Sequence, residues 1–147
     1  YIVTGGGVEF VRAVAESLYG IPPVQVVGSS TKMKMEGGQG GPVLRKLPEL
    51  GSSDDREEKV VNIALHIGRR PVFAFGNSDG DLAMIRYTLG GDGPRMAWYL
   101  HHDDDAREFA YDRDFRLSRF SEGLDRATEL GIGVVSMKKD WNRVFAD

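Results

Sequence analysis

Cysteine is absent from the 147-residue chain, and no apolar run approaches the roughly 20 residues that a membrane-spanning helix needs. Without cysteine there are no disulfide bonds, no zinc sites built on thiolates and no cysteine nucleophiles. Cytosolic and exported proteins both occur without cysteine, so its absence does not identify the compartment.

An excess of positive charge is also lacking. The chain has 19 Lys and Arg residues against 22 Asp and Glu, which gives a net charge of −3. Proteins that bind nucleic acids or anionic membranes usually carry a basic excess, and this chain has none. The content of 41% hydrophobic and 10% aromatic residues is typical of a folded protein. We therefore expect one folded domain over residues 1–147, without a nucleic-acid or membrane partner.

Short apolar runs alternate with helical periodicity, which predicts an α/β protein whose mostly parallel sheet is sandwiched by helices. The runs that predict buried strands are 1–3, 24–27, 71–75, 96–100 and 132–137. The helical patterns are 8–19, the stretch before Gly68, 82–89, 121–130 and a short final turn or helix at 138–146. Alternation around a glycine-rich turn predicts a β-hairpin at about 31–46. We expect the run 71–75 to be covered on both faces, and Asp54 or Asp55 to cap the helix before Gly68.

The first candidate site is Thr4-Gly5-Gly6-Gly7, between a predicted strand and a predicted helix. In parallel sheets, functional loops leave the carboxyl ends of the strands. A hydroxyl followed by amides without side chains at a helix N-terminus suits a phosphate or another oxyanion. The alternative is a tight turn that needs glycine only for its dihedral angles.

Lys59 falls in the first turn of a predicted helix, where the positive end of the helix dipole disfavours an ammonium group. A nearby phosphate or carboxylate would offset this cost. The alternative is a solvated lysine in the charged run 55–59, and the residue taken alone favours that alternative.

The third candidate is the loop 76–81, Gly-Asn-Ser-Asp-Gly-Asp, which follows the apolar run 71–75. Asn77, Asp79 and Asp81 bring an amide oxygen and two carboxylates into a tight, glycine-flanked loop. Oxygen ligands of this kind suit Mg²⁺, which is a hard cation. The alternative is an Asx turn that caps the next helix. The apolar strand before the loop favours the metal.

A fourth polar stretch, His101-His102-Asp103-Asp104-Asp105, follows another predicted strand. Adjacent histidines in an extended segment point in opposite directions, which makes joint ligation of one ion difficult. A solvated strand end with a helix cap is therefore favoured over a transition-metal site.

The order of these features is more specific than any one of them. A strand that ends in Thr4-Gly5-Gly6, then Lys59 at a helix start, then the loop 76–81 resemble the second, third and fourth motifs of the haloacid-dehalogenase-like hydrolases. The resemblance is closest to the phosphoserine-phosphatase-like branch, in which a hairpin also precedes the lysine. It covers about residues 1–89 and implies a Rossmann-like sheet. Residues 1–147 would then be the C-terminal part of such a core domain.

The resemblance implies Mg²⁺-dependent hydrolysis of a small-molecule phosphate ester through an aspartyl-phosphate. The phosphate-binding residues that it implies are Thr4, Gly5, Gly6 and Lys59. The metal ligands that it implies are Asn77, Asp79 and Asp81, and the catalytic residues are Thr4, Lys59 and Asp81. These groups would meet at the carboxyl end of one parallel sheet.

Two features depart from the family pattern. The aspartate-x-aspartate motif that carries the nucleophile does not precede Thr4, and Asp112-Arg113-Asp114 has the right letters but comes after the other motifs. We therefore expect the nucleophile strand and the cap to belong to a segment before Tyr1. That strand would lie between the strands that end at Thr4 and Phe75, and this chain alone would be inactive. Asn77 stands where the family usually has a metal-binding aspartate.

Two other functions are consistent with the same residues. A phosphotransferase of the same family would pass the phosphoryl group to an alcohol rather than to water. A non-catalytic α/β module would keep the phosphate-binding residues for binding or regulation. The sequence does not identify the substrate.

Overall fold

A computed structural model describes residues 1–144. The chain divides into two compact units, the first spanning Tyr1–Gly68 and the second starting at Arg69. Each unit contains its own three-stranded sheet, and helices alternate with strands in both. The α/β class is therefore confirmed, although the described strands form two sheets rather than one. Within residues 1–144, no helix combines the length and the apolar character needed to cross a membrane.

The first unit begins with a parallel strand–helix–strand crossover and continues into a hairpin. Its elements are β1 (Ile2–Gly7), α1 (Val8–Tyr19), β2 (Val26–Glu36), β3 (Val43–Ser52) and α2 (Glu57–His66). β1 pairs parallel with β2, and β2 pairs antiparallel with β3. The helix α1 packs on β2 through Val8, Ala15 and Val26, which form a small core.

The end of α1 follows the sequence prediction. Gly20 adopts the left-handed conformation with φ of 66°, its amide donates to the Glu16 carbonyl, and the Ile21 amide donates to the Ala15 carbonyl. Glycine reaches this conformation without strain, and it satisfies carbonyls that the helix end leaves open. The helix therefore stops at Tyr19.

The predicted hairpin is present, but its arms are longer than the sequence suggested. The apolar run 24–27 and the first arm form one strand, β2, so the prediction of a separate short strand there is wrong. The second arm, β3, continues to Ser52, beyond the predicted end of the hairpin at about 46. A Cβ on Gly51 would lie 2.9–3.0 Å from the backbone of Thr31 and Lys32, so glycine allows this close pairing.

The second unit contains an all-parallel sheet in the order β4-β5-β6. Its elements are β4 (Phe73–Gly76), α3 (Leu82–Leu89), β5 (Met96–His101), α4 (Glu122–Arg126), β6 (Gly133–Ser136) and α5 (Met137–Asp140). The core lies where α3 and the segment before α4 cover one face of the sheet. Its buried members are Ala74, Leu82, Ile85, Ala97, Tyr99, Phe120, Ala127 and Ile132.

Burial of β4 differs from the prediction. Ala74 is buried, but Phe73 and Phe75 are 48% and 45% exposed, so within the described residues the strand is covered on one face. Successive side chains of a strand point to opposite faces, and the two phenylalanines share the open one. β1 and β4 are each the edge strand of their own sheet in the part of the chain described.

The C-terminal elements are shorter than predicted. The helical pattern 121–130 gives only α4, followed by turns that end at Gly131 with φ of 68°. β6 lies inside the predicted strand 132–137, and α5 begins the predicted segment 138–146. The rest of that prediction extends past residue 144 and lies outside the described residues.

Candidate functional site

The first motif is built into β1 rather than into a loop. Regular pairing with β2 runs from Ile2 to Thr4 and shifts register before Gly7, and α1 begins directly at Val8. The Gly6 amide donates to Thr4 Oγ1 at 3.1 Å. This bond uses the hydroxyl only as an acceptor, so its proton can be donated to an oxyanion.

Two residues that the sequence analysis did not single out shape this motif. A Cβ on Gly28 would lie 3.0 Å from the Gly6 carbonyl oxygen and from Thr4 Cγ2, so glycine is needed for the close approach of β2. Ser29 Oγ donates to the Gly5 carbonyl at 2.9 Å and accepts from the Asp54 amide at 2.9 Å. The motif is thereby tied to the segment that precedes α2.

Lys59 lies in the first turn of α2 and is only 4% exposed. Its Nζ donates to the Val3 carbonyl at 2.9 Å. That carbonyl is covalently joined to the Thr4 nitrogen, so the ammonium group is held beside the first motif. The interpretation of Lys59 as a solvated lysine is wrong.

The predicted cap of α2 by Asp54 or Asp55 is also wrong, because Arg56 holds the N-cap position and no side chain caps the helix. Arg56 has φ of 53° and ψ of −125°, a strained conformation that favours glycine. Asp54 is fully buried, and its Oδ1 accepts from Asn62 Nδ2 at 2.9 Å. Asp54 therefore does not cap the helix. It anchors the segment before Lys59 to Asn62, inside α2.

Asp81 organises the acidic loop through the backbone. Its Oδ2 accepts from the amides of Asn77 at 2.9 Å and Ser78 at 3.2 Å, and the residue is 7% exposed. A Cβ on Gly76 would lie 2.5–2.9 Å from the Asp81 side chain, so glycine is required there. The loop is thus folded around one carboxylate.

Asp79 is used by a different part of the same unit. Its Oδ1 accepts from the amides of Ser121 at 3.0 Å and Gly123 at 2.8 Å, and its Oδ2 lies 3.1 Å from the Ser121 amide. These amides belong to the start of α4. The alternative of a turn that caps the next helix fits the hydrogen bonds from Asn77 and Ser78 to Asp81, whereas Asp79 bonds the start of α4 instead.

The acidic loop has metal ligands of the right type but not in the right number. Mg²⁺ takes six oxygen ligands, and residues 1–144 contain no group of three or more His, Cys, Asp or Glu side chains that could hold a metal ion. Asn77 also has a partner, since its Nδ2 donates to the Tyr111 hydroxyl. The residues of the loop by themselves do not fit a complete Mg²⁺ site.

The two histidines after β5 have separate partners. His101 Nε2 lies 3.3 Å from Asp112 Oδ2, whereas His102 Nδ1 lies 2.8 Å from Glu108 Oε2. The two histidines therefore lie against different carboxylates. The predicted solvation is wrong for Asp104, which is 3% exposed and pairs with Arg107.

Asp103 makes the folded state sensitive to acid. Burial raises the pKa of its carboxyl group, but hydrogen bonds from the Ser136 hydroxyl and the Lys138 amide and the proximity of His101 lower it more, so the net pKa lies below its ordinary value. A carboxyl group whose pKa is lower in the folded state stabilises the protein above the unfolded pKa. This stabilisation is lost as the pH falls through the folded pKa.

Asp103→Asn is therefore expected to lower the free energy of unfolding by about 1–2 kcal/mol at neutral pH, because a charged hydrogen-bond acceptor is lost. The difference from the wild type should shrink below the ordinary aspartate pKa of 3.8. Urea unfolding at a series of pH values measures this, with exposed Asp105→Asn as the matched control. A difference that stays constant down to acid pH would contradict the role of the charge.

Comparison with known proteins gives no assignment, because no family model and no curated protein matches the chain. In the first unit, the structure brings Lys59 to the strand that carries Thr4, Gly5 and Gly6. In the second unit, Asn77, Asp79 and Asp81 share one loop whose carboxylates accept backbone amides.

Proposed function

We propose that the protein to which this chain belongs hydrolyses a phosphomonoester, as a member of the phosphoserine-phosphatase-like branch of the haloacid-dehalogenase-like hydrolases with a Rossmann-like core. One observation carries the proposal: the ammonium group of Lys59 is buried and is held at the Val3 carbonyl, next to Thr4. Burying a charge is costly, and a lysine that serves only solubility would remain in solvent.

The phosphate-binding groups come from the first motif and from Lys59. The Thr4 hydroxyl and the Gly5 amide donate to the phosphoryl oxygens, and Lys59 neutralises their charge. The Gly6 amide contributes by holding the Thr4 hydroxyl in place. Glycine suits this role because nothing beyond the backbone shields the amides from an anion. In a site of low dielectric, a positioned ammonium stabilises a phosphoryl group far more than it would in water.

The proposal also assigns a role to the acidic loop. Asn77, Asp79 and Asp81 would provide part of the ligand environment of Mg²⁺, directly or by shaping the loop. Bound there, the cation would add charge stabilisation at the transferring phosphoryl group.

The reaction has two steps. An aspartate carboxylate attacks phosphorus, the bond from phosphorus to the ester oxygen breaks, and a general acid of the same segment protonates the leaving alcohol. Water then gives a proton to the conjugate base of that acid and attacks phosphorus. The bond from phosphorus to the carboxylate oxygen breaks, which releases inorganic phosphate and restores the carboxylate. In the proposal this aspartate lies in the segment that the family places before the first motif. Transfer to a second alcohol in place of water would make the protein a phosphotransferase.

A second candidate function is phosphate binding without catalysis. It is favoured by the hydrogen bonds of Asp79 and Asp81, which engage both carboxylates with backbone amides of the same unit. It would keep the roles of Thr4 and Lys59 and lose the hydrolysis. Activity of the longest natural chain that contains these residues separates the two functions.

That protein is expected to hydrolyse a generic aryl phosphate only when Mg²⁺ is present. Asn77→Asp should lower the Mg²⁺ concentration that gives half activity by about threefold or more, because a hard cation gains more from a carboxylate than from an amide oxygen. The measurement is a Mg²⁺ titration of the hydrolysis rate for the wild type and the variant.

Asn142→Asp is the matched control, since it adds the same charge at an exposed residue of the same unit. Its midpoint should equal that of the wild type. An unchanged midpoint for Asn77→Asp would remove Asn77 from the metal environment. Hydrolysis by the wild type without metal would contradict the proposed mechanism.

A further inference from the structure

Two glycines of the first motif lie where regular pairing between β1 and β2 is interrupted. In the described pairing of these strands, the register ends at Thr4 and resumes at Gly7, so Gly5 and Gly6 have no partner residue on β2. A bulge of this kind disrupts the ladder of strand hydrogen bonds locally. Side-chain contacts therefore contribute to the orientation of the peptide unit that joins Gly5 to Gly6.

Two side-chain hydroxyl groups hold this peptide unit from opposite sides. Ser29 Oγ donates to the Gly5 carbonyl at 2.9 Å, and the Gly6 amide donates to Thr4 Oγ1 at 3.1 Å. The carbonyl and the amide belong to one planar unit, in which they point in opposite directions because the peptide bond is trans. A change at Ser29 that turns this unit therefore also moves the amide that holds the Thr4 hydroxyl.

Ser29 is itself fixed by a buried anchor on α2. The Asp54 amide donates to Ser29 Oγ at 2.9 Å, and Asp54 Oδ1 accepts from Asn62 Nδ2 at 2.9 Å. Asp54 is fully buried and Asn62 is 3% exposed, and buried polar bonds of this kind are costly to break. The same helix carries Lys59, so the hydroxyl of Thr4 and the ammonium of Lys59 are both tied to α2.

The Ser29 hydroxyl links the two halves of this chain of hydrogen bonds. It donates to the Gly5 carbonyl and accepts from the Asp54 amide with a single oxygen atom. A hydroxyl can donate and accept at once, whereas the side chains of alanine and valine can do neither. The connection between the first motif and α2 therefore depends on the chemical type of residue 29.

We infer that Ser29 is a positioning residue of the phosphate site, which fixes the Thr4 hydroxyl relative to Lys59 through the peptide unit of Gly5 and Gly6. The inference rests on the proposed function, in which Thr4 and Lys59 contact the phosphoryl group. It adds that the affinity of the site for phosphate depends on a residue outside the three motifs found in the sequence.

Inorganic phosphate binding, measured by calorimetry on the longest natural chain that contains these residues, tests the inference. Ser29→Ala is expected to weaken phosphate binding by about 10-fold, because residues of one hydrogen-bond network commonly couple by an amount of this order. Ser29→Thr should keep most of the affinity, whereas Ser29→Val should not. Threonine and valine are both β-branched and both suit a strand, so their difference isolates the hydroxyl even if stability changes.

Ser17→Ala is the matched control, because Ser17 is an exposed serine of the same unit whose hydroxyl donates to the Val14 carbonyl within α1. It should bind phosphate within about twofold of the wild type. A double-mutant cycle with Thr4→Val separates positioning from a general loss of structure. Ser29→Ala should weaken phosphate binding much less in Thr4→Val than in the wild type, because the hydroxyl that Ser29 positions is then absent.

Wild-type affinity in Ser29→Ala or Ser29→Val would overturn the inference, and so would equal effects of Ser29→Ala with and without the Thr4 hydroxyl. The proposed function would still stand in either case if Lys59→Met weakened phosphate binding in the same experiment. Absence of phosphate binding by the folded wild type would instead overturn the proposed function, and the role of Ser29 with it.

Discussion

Lys59→Met is expected to lower kcat/KM for an aryl phosphate by about 100- to 1,000-fold, the usual cost of removing one group that stabilises transition-state charge. The Lys59 side chain is 4% exposed, and its Nζ is held at the Val3 carbonyl at 2.9 Å. In this position a positive charge acts on a bound phosphoryl group with little screening by water. Methionine keeps the length and the apolar stem of lysine but removes the charge.

Lys46→Met is the matched control. The Lys46 side chain is 56% exposed and pairs with Glu9 at 3.3 Å, and surface ion pairs of this kind contribute little. Its activity should stay within about twofold of the wild type. Thermal unfolding of both variants separates loss of activity from loss of fold.

Inorganic phosphate binding gives a second readout, one that does not depend on turnover. Lys59→Met should weaken it strongly, whereas Lys46→Met should not. If Lys59→Met hydrolysed the aryl phosphate at the wild-type rate, the burial of Lys59 beside Thr4 would no longer support the proposed function. If it bound phosphate as the wild type does, Lys59 would be a structural residue only.

Much of the fold follows from local sequence signals. The glycine after α1 and the prolines that follow it specify the end of that helix, and alternating residues around the glycine-rich turn specify the hairpin. These signals act over a few residues, so they can be predicted without tertiary contacts. The lengths of β2 and β3 could not be predicted from such local signals, because they depend on close backbone pairing at Gly51.

Some features of the candidate site could likewise be predicted from the sequence, and others could not. Thr4, Lys59 and the loop 76–81 could be predicted because their residue types and order are distinctive. The burial of Lys59 could not, since its charged neighbours in the sequence suggest a solvated helix face. The stacking of the His102 and Tyr111 rings could not be predicted either, because a β-bridge between the two residues brings them together and the sequence shows no periodicity there.

Asp81→Ala is expected to reduce both the stability of the second unit and the Mg²⁺-dependent activity of the protein. Asp81 Oδ2 accepts from two backbone amides, those of Asn77 and Ser78, and alanine would leave both without this partner. Losing hydrogen bonds to a buried carboxylate costs about 2–4 kcal/mol in free energy of unfolding. The loop that presents Asn77 would no longer be fixed, so most of the hydrolysis should be lost.

Asp81→Asn separates the fold of the loop from its charge. Asparagine keeps an oxygen acceptor for the amides, so the loss of stability should be about half that of Asp81→Ala, while the negative charge is removed. Asp92→Ala, at an exposed residue of the same unit, is the matched control and should cost less than about 0.5 kcal/mol.

Urea unfolding and Mg²⁺ titrations of hydrolysis are measured on all three variants. Unfolding free energies that are equal for Asp81→Ala and Asp92→Ala would contradict the organising role of Asp81. Full Mg²⁺-dependent activity of Asp81→Asn would show that the charge of Asp81 does not serve the metal, because the loop would still be folded in that variant.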